Sequence, residues 1–257
     1  MKTKVFKTNP TKKGQLADLN FSQAKVFRFD LQKYRGSAIA QIGAGAIGTH
    51  AALALVRKGI GALDIFDDDT VELKNLTRQL FSIKDVGKNK AHCLAKILSK
   101  HGFFKTTLTA HPFRFQEALE EGLDFSRYDA IVCAVDNNPS RVLASRHCLS
   151  HDIPLITNAV SRDGNQMYCA VQEPGKACFG CIVPHAVNDD SYPCNLPGII
   201  DIIQVVSGYT VYALDTVLMG RPRQWNINVA FLDGGAPDHC LLIPKKDDCP
   251  LCGKGAA

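Results

Sequence analysis

The sequence predicts an α/β protein with a central, mainly parallel sheet that antiparallel strands extend. Its 257 residues are 46% apolar and 21% charged, a balance that suits a globular chain. Short apolar strands alternate with helical segments through most of the chain, as in parallel α/β sheets. A glycine turn, Gly43-Ala-Gly45-Ala-Ile-Gly48, follows the first apolar strand and opens a helix. That arrangement is typical of Rossmann-like nucleotide-binding folds.

The N-terminal end differs in composition from the rest of the chain. Lys2, Lys4, Lys7, Lys12 and Lys13 account for the whole net charge of +5. We expect residues 1–25 to form a flexible basic tail and residues 26–257 to form one domain. No platform of aromatic and basic residues accompanies the lysines, so nucleic-acid binding is not predicted.

The domain begins with a βαβ unit. A strand is predicted at Ala38–Ile42, a helix at Ala46–Lys58 that Gly59 stops, and a second strand at Ala62–Phe66. Asp67 follows that strand about 20 residues after the glycine turn, where a carboxylate can accept hydrogen bonds from ribose hydroxyls. We expect Gly43, Gly45, Gly48, Asp67 and Asp69 to bind a cofactor. On these residues alone, a dehydrogenase-type cofactor site is an equal alternative.

The remaining elements follow from apolar periodicity and from turn residues. Helices are predicted at 86–100, at 138–150 and at 198–219, with Asn138 as the N-cap of the second and Pro139 at its first position. Strands are predicted at 106–110, 130–135, 155–159, 167–171, 226–231 and 240–243. A loop is predicted at 184–197.

Four side chains that suit phosphate binding follow the second strand. They are Asn75, Arg78, Gln79 and Lys90. Arginine offers a bidentate fork to phosphate oxygens, and lysine offers a mobile charge. Each of them alone fits a solvated basic turn, but together they favour a nucleoside triphosphate. Arg78 and Lys90 are therefore candidate catalytic residues as well.

A second candidate group ends the very apolar strand Ile131-Val-Cys-Ala-Val135. A carboxylate at the carboxyl end of a central parallel strand lies at the ligand crevice. Beside a triphosphate, Asp136 is expected to hold Mg²⁺ and is a further candidate catalytic residue, with Asn137 next to it at the cofactor site. The alternative is that Asp136 only caps the next helix.

Ten cysteines are many for a reducing compartment unless some bind metal. Cys178-Phe-Gly-Cys181 and Cys249-Pro-Leu-Cys252 have the two-residue spacing of a structural zinc site, and four thiolates give a closed tetrahedral shell. Cys194 stands outside both pairs, just ahead of a long helix. A helix N-terminus lowers the pKa of a thiol, so Cys194 is a candidate catalytic nucleophile, with an incidental loop cysteine as the alternative.

The N-terminus lacks the apolar segment of a signal peptide, and charges interrupt the long apolar helix at Asp201 and Asp215. We therefore predict no membrane span and a cytoplasmic location.

Taken together, the motifs resemble the ThiF/MoeB/HesA family of ubiquitin-activating-like adenylyltransferases. The resemblance covers roughly residues 38 to 252 and rests on the glycine turn, on the run from Leu63 to Gln79 and on Asp85-Val-Gly-Lys-Asn-Lys-Ala91. Asp136-Asn137 and the two cysteine pairs complete it.

The resemblance implies a homodimeric enzyme that uses MgATP to adenylate the C-terminal glycine of a ubiquitin-like or sulfur-carrier protein. Asp67 would bind the ribose, Asp136 would position Mg²⁺, and the cysteine pairs would hold Zn²⁺. Cys194 lies where thioester-forming or persulfide-forming members carry their active cysteine, which would imply a conjugating enzyme or a sulfur-transfer partner. The family often carries an arginine ahead of the first strand. That pattern is absent here, and Arg28 and Arg35 are weak substitutes.

Four functions stay open at this point. The leading one is adenylation followed by thioester formation on Cys194. The second is a sulfur-carrier adenylyltransferase that forms no thioester. The third is a NAD-dependent oxidoreductase, and the fourth is a silent scaffold that binds a ubiquitin-like partner.

Overall fold

The computed structural model describes residues 2–10, 29–161, 164, 166–188, 199–231 and 238–254. Within them, one sheet holds strands β1 to β9. The strands are β1 Lys4–Lys7, β2 Ala38–Ile42, β3 Ala62–Phe66, β4 Thr107–His111, β5 Ala130–Cys133, β6 Leu155–Val160, β7 Gln166–Gln172, β8 Ile227–Phe231 and β9 His239–Leu241. The helices are α1 Leu31–Gly36, α2 Ala46–Lys58, α3 Lys90–Leu98, α4 Phe115–Glu120, α5 Asn138–Ser150, α6 Phe179–Ile182 and α7 Ile200–Leu218. Three short 3₁₀ turns lie at Leu73–Asn75, Ile83–Asp85 and Pro184–Ala186.

The sheet runs in the order β1-β4-β3-β2-β5-β6-β7-β8-β9. Strands β4, β3, β2, β5 and β6 are parallel to one another. Strand β1 and strands β7 to β9 are added antiparallel at the two sides. This confirms the predicted mainly parallel sheet with antiparallel extensions.

Helices cover both faces of the sheet because side chains alternate along each strand. Ile39 and Leu63 face one side, where they pack with Leu55 of α2 and Leu214 of α7. Alternate residues such as Ala40 and Ile131 face the other side, against α4 and α5. Burial on both faces explains why the central strands are almost continuously apolar.

The first βαβ unit has the predicted bounds. Helix α2 ends at Gly59, whose φ of 89° is left-handed and whose N–H bonds to the carbonyl oxygens of Leu55 and Val56. This is a glycine stop of the expected kind.

Two predicted helix starts are wrong. Helix α3 begins at Lys90 rather than at residue 86, because Gly87 has a φ of 80° and Asn89 pairs with Thr70 in an antiparallel bridge before it caps the helix. Helix α5 is capped by Asn137, whose side chain accepts from the N–H of Ser140, and not by Asn138.

Four short elements were not predicted: β1, α1, α4 and α6. Strand β1 corrects the expectation of a flexible tail for Lys4–Lys7, which pair with β4. The 3₁₀ turn at Pro184–Ala186 likewise corrects the start of the predicted loop at 184–197. Among the described helices, including the apolar α7, none has the length and apolarity needed to cross a membrane.

Candidate nucleotide site and cysteine cluster

A cavity of about 1070 Å³ opens at the carboxyl ends of β2, β3 and β5. This is where parallel α/β sheets bind ligands. Most predicted cofactor residues line it: Gly43, Gly45, Asp67, Asp69, Asn75, Arg78, Gln79, Lys90, Asp136 and Asn137. Residues separated by almost a hundred positions in sequence therefore meet at one crevice. Gly48 does not line the cavity.

The glycine turn is stabilised by Gln41, a buried residue that was not predicted to belong to the site. Gln41 is fully buried in β2, and its Nε2 donates to the carbonyl oxygens of Gly43 at 2.9 Å and Gly48 at 3.1 Å. A Cβ on Gly48 would lie 2.3 Å from the Gly43 oxygen, so Gly48 allows the helix to pack against the turn. A lone polar residue in an apolar strand was the available signal for Gln41.

Asp67 accepts two backbone hydrogen bonds. Its Oδ2 accepts from the N–H of Ala44 at 2.6 Å, and its Oδ1 accepts from the N–H of Asp69 at 3.0 Å. Burial raises the pKa of Asp67 to about 6, against the opposing effects of Lys90 and of these N–H groups. The carboxylate is thus fixed in place before any ligand binds.

Lys90 is the first residue of α3 and is mostly buried. Its Nζ bonds to Oδ2 of Asp69 at 2.7 Å, while Asp69 itself is largely exposed. The ammonium is therefore at the cavity, but it is already paired with a carboxylate.

The 3₁₀ turn at Leu73–Asn75 orders the other phosphate-site candidates. Oδ1 of Asn75 accepts from the N–H of Glu72 at 2.8 Å, and the carbonyl oxygen of Asn75 accepts from the N–H groups of Arg78 and Gln79. Nη1 of Arg78 donates to the carbonyl oxygen of Lys74 at 3.1 Å. Oε1 of Gln79 is buried and has no hydrogen-bond partner among the described residues, while the residue lines the cavity.

Asp136 is exposed at the cavity, and it follows strand β5, whose residues are all buried. The loop that carries it is held by Arg141, whose Nη2 donates to the carbonyl oxygens of Val135 at 2.6 Å and Asn158 at 3.2 Å. Asn137 uses its Oδ1 to cap α5, and its Nδ2 donates a long hydrogen bond of 3.5 Å to Oδ1 of Asp136. An exposed carboxylate at this position suits Mg²⁺.

One further lining residue, Arg114, and one buried neighbour of the cavity, Asn89, were not predicted. Arg114 follows β4, and its Nε bonds to Oδ2 of Asp68 at 2.9 Å across the cavity rim. Asn89 precedes α3 and is buried beneath the acidic residues. Arg114 belongs to no sequence pattern noted above, whereas Asn89 lies inside the motif Asp85–Ala91 but was given no role.

The cysteine pairs meet in a second place. Their four sulfur atoms lie within 4.8 Å of one another. The Sγ of Cys178 is 3.5 Å from that of Cys249, and the Sγ of Cys181 is 3.5 Å from that of Cys252. Tetrahedral zinc with bonds of about 2.3 Å places sulfurs about 3.8 Å apart, so the cluster fits zinc. The N–H of Lys246 donates to the Sγ of Cys181 at 3.4 Å, a contact that a bound thiolate would strengthen.

Cys194 and Arg28 lie outside the described residues. Arg35 lies on α1, with its guanidinium over the ring of Phe104 at 4.3 Å, and it does not line the cavity.

Comparison with known proteins agrees with this geometry. The chain is 30% identical over 229 residues to the sulfur carrier protein ThiS adenylyltransferase of Escherichia coli, covering 86% of this chain and 88% of that protein. It is 29% identical over 233 residues to the SAMP-activating enzyme E1 of Haloferax volcanii, covering 85% and 81%. It spans about half the length of the adenylyltransferase and sulfurtransferase MOCS3 of Arabidopsis thaliana, at 32% identity over 86% of this chain.

Among solved structures, the fold is similar to that of E. coli MccB with MccA-N7isoASN. The TM-score is 0.72 at 20% identity, over 87% of this chain and 69% of that one. The profile of the ThiF family matches residues 18–251. From the shared fold, the assembled cavity and this match, we conclude that the chain belongs to the ThiF family.

Proposed function

We propose that this chain is an ATP-dependent adenylyltransferase that activates the C-terminal carboxylate of a ubiquitin-like or sulfur-carrier protein. One observation carries the proposal. Asp67, the set of Asn75, Arg78, Gln79 and Lys90, and the exposed carboxylate of Asp136 line the same cavity at the carboxyl ends of parallel strands. Their chemistry suits ribose, phosphate and Mg²⁺ respectively. The printed names of the relatives, a ThiS adenylyltransferase and a SAMP-activating enzyme E1, support the same chemistry.

Different residues of the cavity would bind different parts of ATP. The carboxylate of Asp67 accepts from the ribose hydroxyls, and the glycine turn lets the triphosphate approach the N-terminus of α2. Arg78 and Lys90 neutralise phosphate charge, and the amides of Asn75 and Gln79 donate to phosphate oxygens. Asp136 would hold Mg²⁺, which would neutralise further charge on the triphosphate.

The chemistry is an in-line substitution at the α-phosphorus. An oxygen of the carrier's terminal carboxylate forms the new bond to phosphorus, and the bond to the pyrophosphate oxygen breaks. The products are an acyl-adenylate and pyrophosphate. Because this step needs no proton transfer, the protein acts by positioning the two reactants and by stabilising the charge that develops on pyrophosphate.

The fate of the acyl group is a finer part of the proposal. We expect the thiolate of Cys194 to attack the acyl carbon and release AMP, which leaves a thioester. In the alternative, the acyl-adenylate is the end product or leads to persulfide chemistry, as the similarity to a sulfur-carrier adenylyltransferase supports. A conjugating enzyme would follow the first route, and a sulfur-transfer partner the second. We further expect the enzyme to act as a homodimer.

The test of adenylation is exchange of labelled pyrophosphate into ATP, with candidate carrier proteins that end in glycine. Exchange should depend on the carrier and should fall at least tenfold in Asp136→Ala. Glu121→Ala, which removes an exposed carboxylate outside the cavity, is the matched control and should exchange normally. Tight binding of NADH without binding of ATP would favour an oxidoreductase instead.

The test of the thioester separates the two fates. Cys194→Ala should keep carrier-dependent exchange but lose an adduct that thiol reagents release. If wild-type protein forms AMP with the carrier but no such adduct, the adenylate-only route is correct.

A further inference from the structure

Asn89 connects the two halves of the nucleotide site. It is only 3% exposed. Its Nδ2 donates to the carbonyl oxygen of Asp67 at 2.8 Å and to that of Asp69 at 3.2 Å. Its Oδ1 accepts from the N–H of His92 at 3.0 Å, which caps α3. These three partners determine the amide orientation, because a flipped amide would place its oxygen against two carbonyl oxygens.

The residues on either side of Asn89 make the same connection. The N–H of Lys90 donates to the carbonyl oxygen of Asp69 at 2.9 Å, and Thr70 pairs with Asn89 in a short antiparallel bridge. The acidic turn, residues 67–69, is therefore bound to the first residues of α3 mainly through backbone groups. One end of this corner carries the ribose acceptor, and the other carries Lys90.

The side-chain contact between Lys90 and Asp69 cannot hold α3 and the acidic turn together while the nucleotide binds. The Lys90 ammonium bonds to the Asp69 carboxylate at 2.7 Å. To neutralise a phosphate, it must exchange at least part of that contact. The side-chain link between α3 and the acidic turn is then weakened at the moment when both must bind the nucleotide.

We propose that Asn89 is a positioning residue that keeps α3 and the acidic turn in one fixed arrangement, so that Asp67 and Lys90 bind ribose and phosphate together. Its bonds go to backbone carbonyls, which the nucleotide does not compete for. This inference rests on the proposed function, because it assigns Asn89 to the same nucleotide site.

The test uses Asn89→Ser. Serine still accepts from the N–H of His92 and so still caps α3, but its single O–H cannot donate to two carbonyls. The matched control is Lys96→Gly, which weakens α3 at an exposed position away from the acidic turn. Melting temperatures show whether the two variants lose similar stability.

Calorimetry with adenosine and with ATP then gives the first readout. Asn89→Ser should weaken the binding of both ligands by roughly tenfold, which corresponds to about 1.4 kcal/mol, because hydrogen bonds to the acidic turn are lost. Lys96→Gly should bind both within about twofold of wild type. Equal weakening in the two variants, or no weakening in Asn89→Ser, would contradict the positioning role.

A second readout needs no nucleotide. The N–H groups of Ala44 and Asp69 both donate to the Asp67 carboxylate, so their hydrogen exchange reports how firmly the acidic turn is held. Exchange of both should be roughly tenfold faster in Asn89→Ser and unchanged in Lys96→Gly. Unchanged exchange, with normal ATP binding by wild type, overturns this inference alone. Wild-type protein that binds neither adenosine nor ATP overturns the proposed function and the positioning role with it.

Discussion

Asp67 is placed between two opposing influences. Burial favours its neutral form, while two backbone N–H groups and Lys90 favour the carboxylate. Burial prevails, and the pKa rises from 3.8 to about 6. Asp67 is therefore close to half-protonated near pH 6, and its ability to accept hydrogen bonds changes within an accessible range.

The first prediction concerns adenosine, which has no phosphate that titrates near pH 6. Its affinity should rise between pH 5 and about pH 7, because only the ionised carboxylate accepts from both ribose hydroxyls. Asp67→Asn should bind adenosine weakly and without this pH dependence. Calorimetry from pH 5 to 8 measures both proteins.

The raised pKa of Asp67 also affects the free energy of unfolding. As pH rises, adenosine affinity should increase, whereas the stability of the folded protein should decrease. A carboxyl group whose pKa is raised on folding makes the folded state less favourable as pH rises from about 3.8 to about 6. The ligand-free protein should therefore lose the contribution of Asp67 to stability over this range, and adenosine should restore part of it. An adenosine affinity that does not change with pH in wild type would contradict this account of Asp67.

The second prediction concerns the pair between Lys90 and Asp69. A triphosphate must compete with the Asp69 carboxylate for the ammonium, whereas adenosine does not. At pH 8, where Asp67 is ionised with or without the charge of Asp69, Asp69→Asn should therefore bind ATP severalfold more tightly and adenosine with unchanged affinity. Weaker binding of ATP would show instead that the Asp69 carboxylate supports the nucleotide directly.

The turn between β2 and α2 depends on glycine for two different reasons. A Cβ on Gly48 would lie 2.3 Å from a backbone oxygen, whereas a Cβ on Gly45 would have nothing within 4 Å. The absence of a side chain at Gly48 thus lets helix α2 pack against the backbone of the turn. The absence of a side chain at Gly45 instead leaves space in the cavity for a ligand.

The third prediction uses this difference. Gly48→Ala should cost about 1–3 kcal/mol of stability and weaken adenosine and ATP alike, because the turn must shift. Gly45→Ala should fold with a nearly unchanged melting temperature and should weaken ATP more than adenosine, because its methyl group enters the space for phosphate. Similar effects of the two variants on stability would contradict the assignment.

The longer elements could be predicted because each repeats a pattern. Helix α2 combines an apolar face with a glycine stop, and β3 is an apolar run that ends in an acid. Strand β1 and helices α4 and α6 span only four to six residues, too few for a period to be recognised. The start of α3 was misjudged because a tertiary contact, the bridge between Thr70 and Asn89, keeps the preceding residues extended.

Some residues of the candidate site could likewise be predicted from the sequence, and others could not. Asp67, Arg78 and Lys90 were chosen for the chemistry of their side chains, and the cavity brings them together, although their roles remain predictions. Gln41 and Asn89 were missed because they bond to backbone carbonyl oxygens. A carbonyl acceptor is present at every residue, so even a conspicuous polar residue such as Gln41 does not show from sequence which carbonyl groups it contacts.

The cysteine cluster joins parts of the molecule that are far apart in sequence. Cys178 and Cys249 are separated by 71 positions, and the cluster packs with Phe179, Ile227 and Leu251 in a small apolar core. It connects to the nucleotide site through Gln172, whose Oε1 accepts from Ser145 of α5 and from the N–H of Phe179. Helix α5 begins beside Asp136. The same helix therefore contacts the cysteine cluster through Gln172 and carries residues at the edge of the cavity.

The last prediction follows from this connection. The protein should contain one zinc ion per chain, and Cys249→Ser or chelation should lower stability by at least about 3 kcal/mol, because metal binding contributes directly to folding. Cys240→Ser, which changes an exposed cysteine outside the cluster, should keep both zinc and stability. ATP affinity should also fall in the zinc-free protein, since the N-terminal end of α5 is less firmly held. Metal analysis, thermal unfolding and calorimetry measure the three effects. A zinc-free protein with normal stability would show that thiol packing alone holds the C-terminal residues in place.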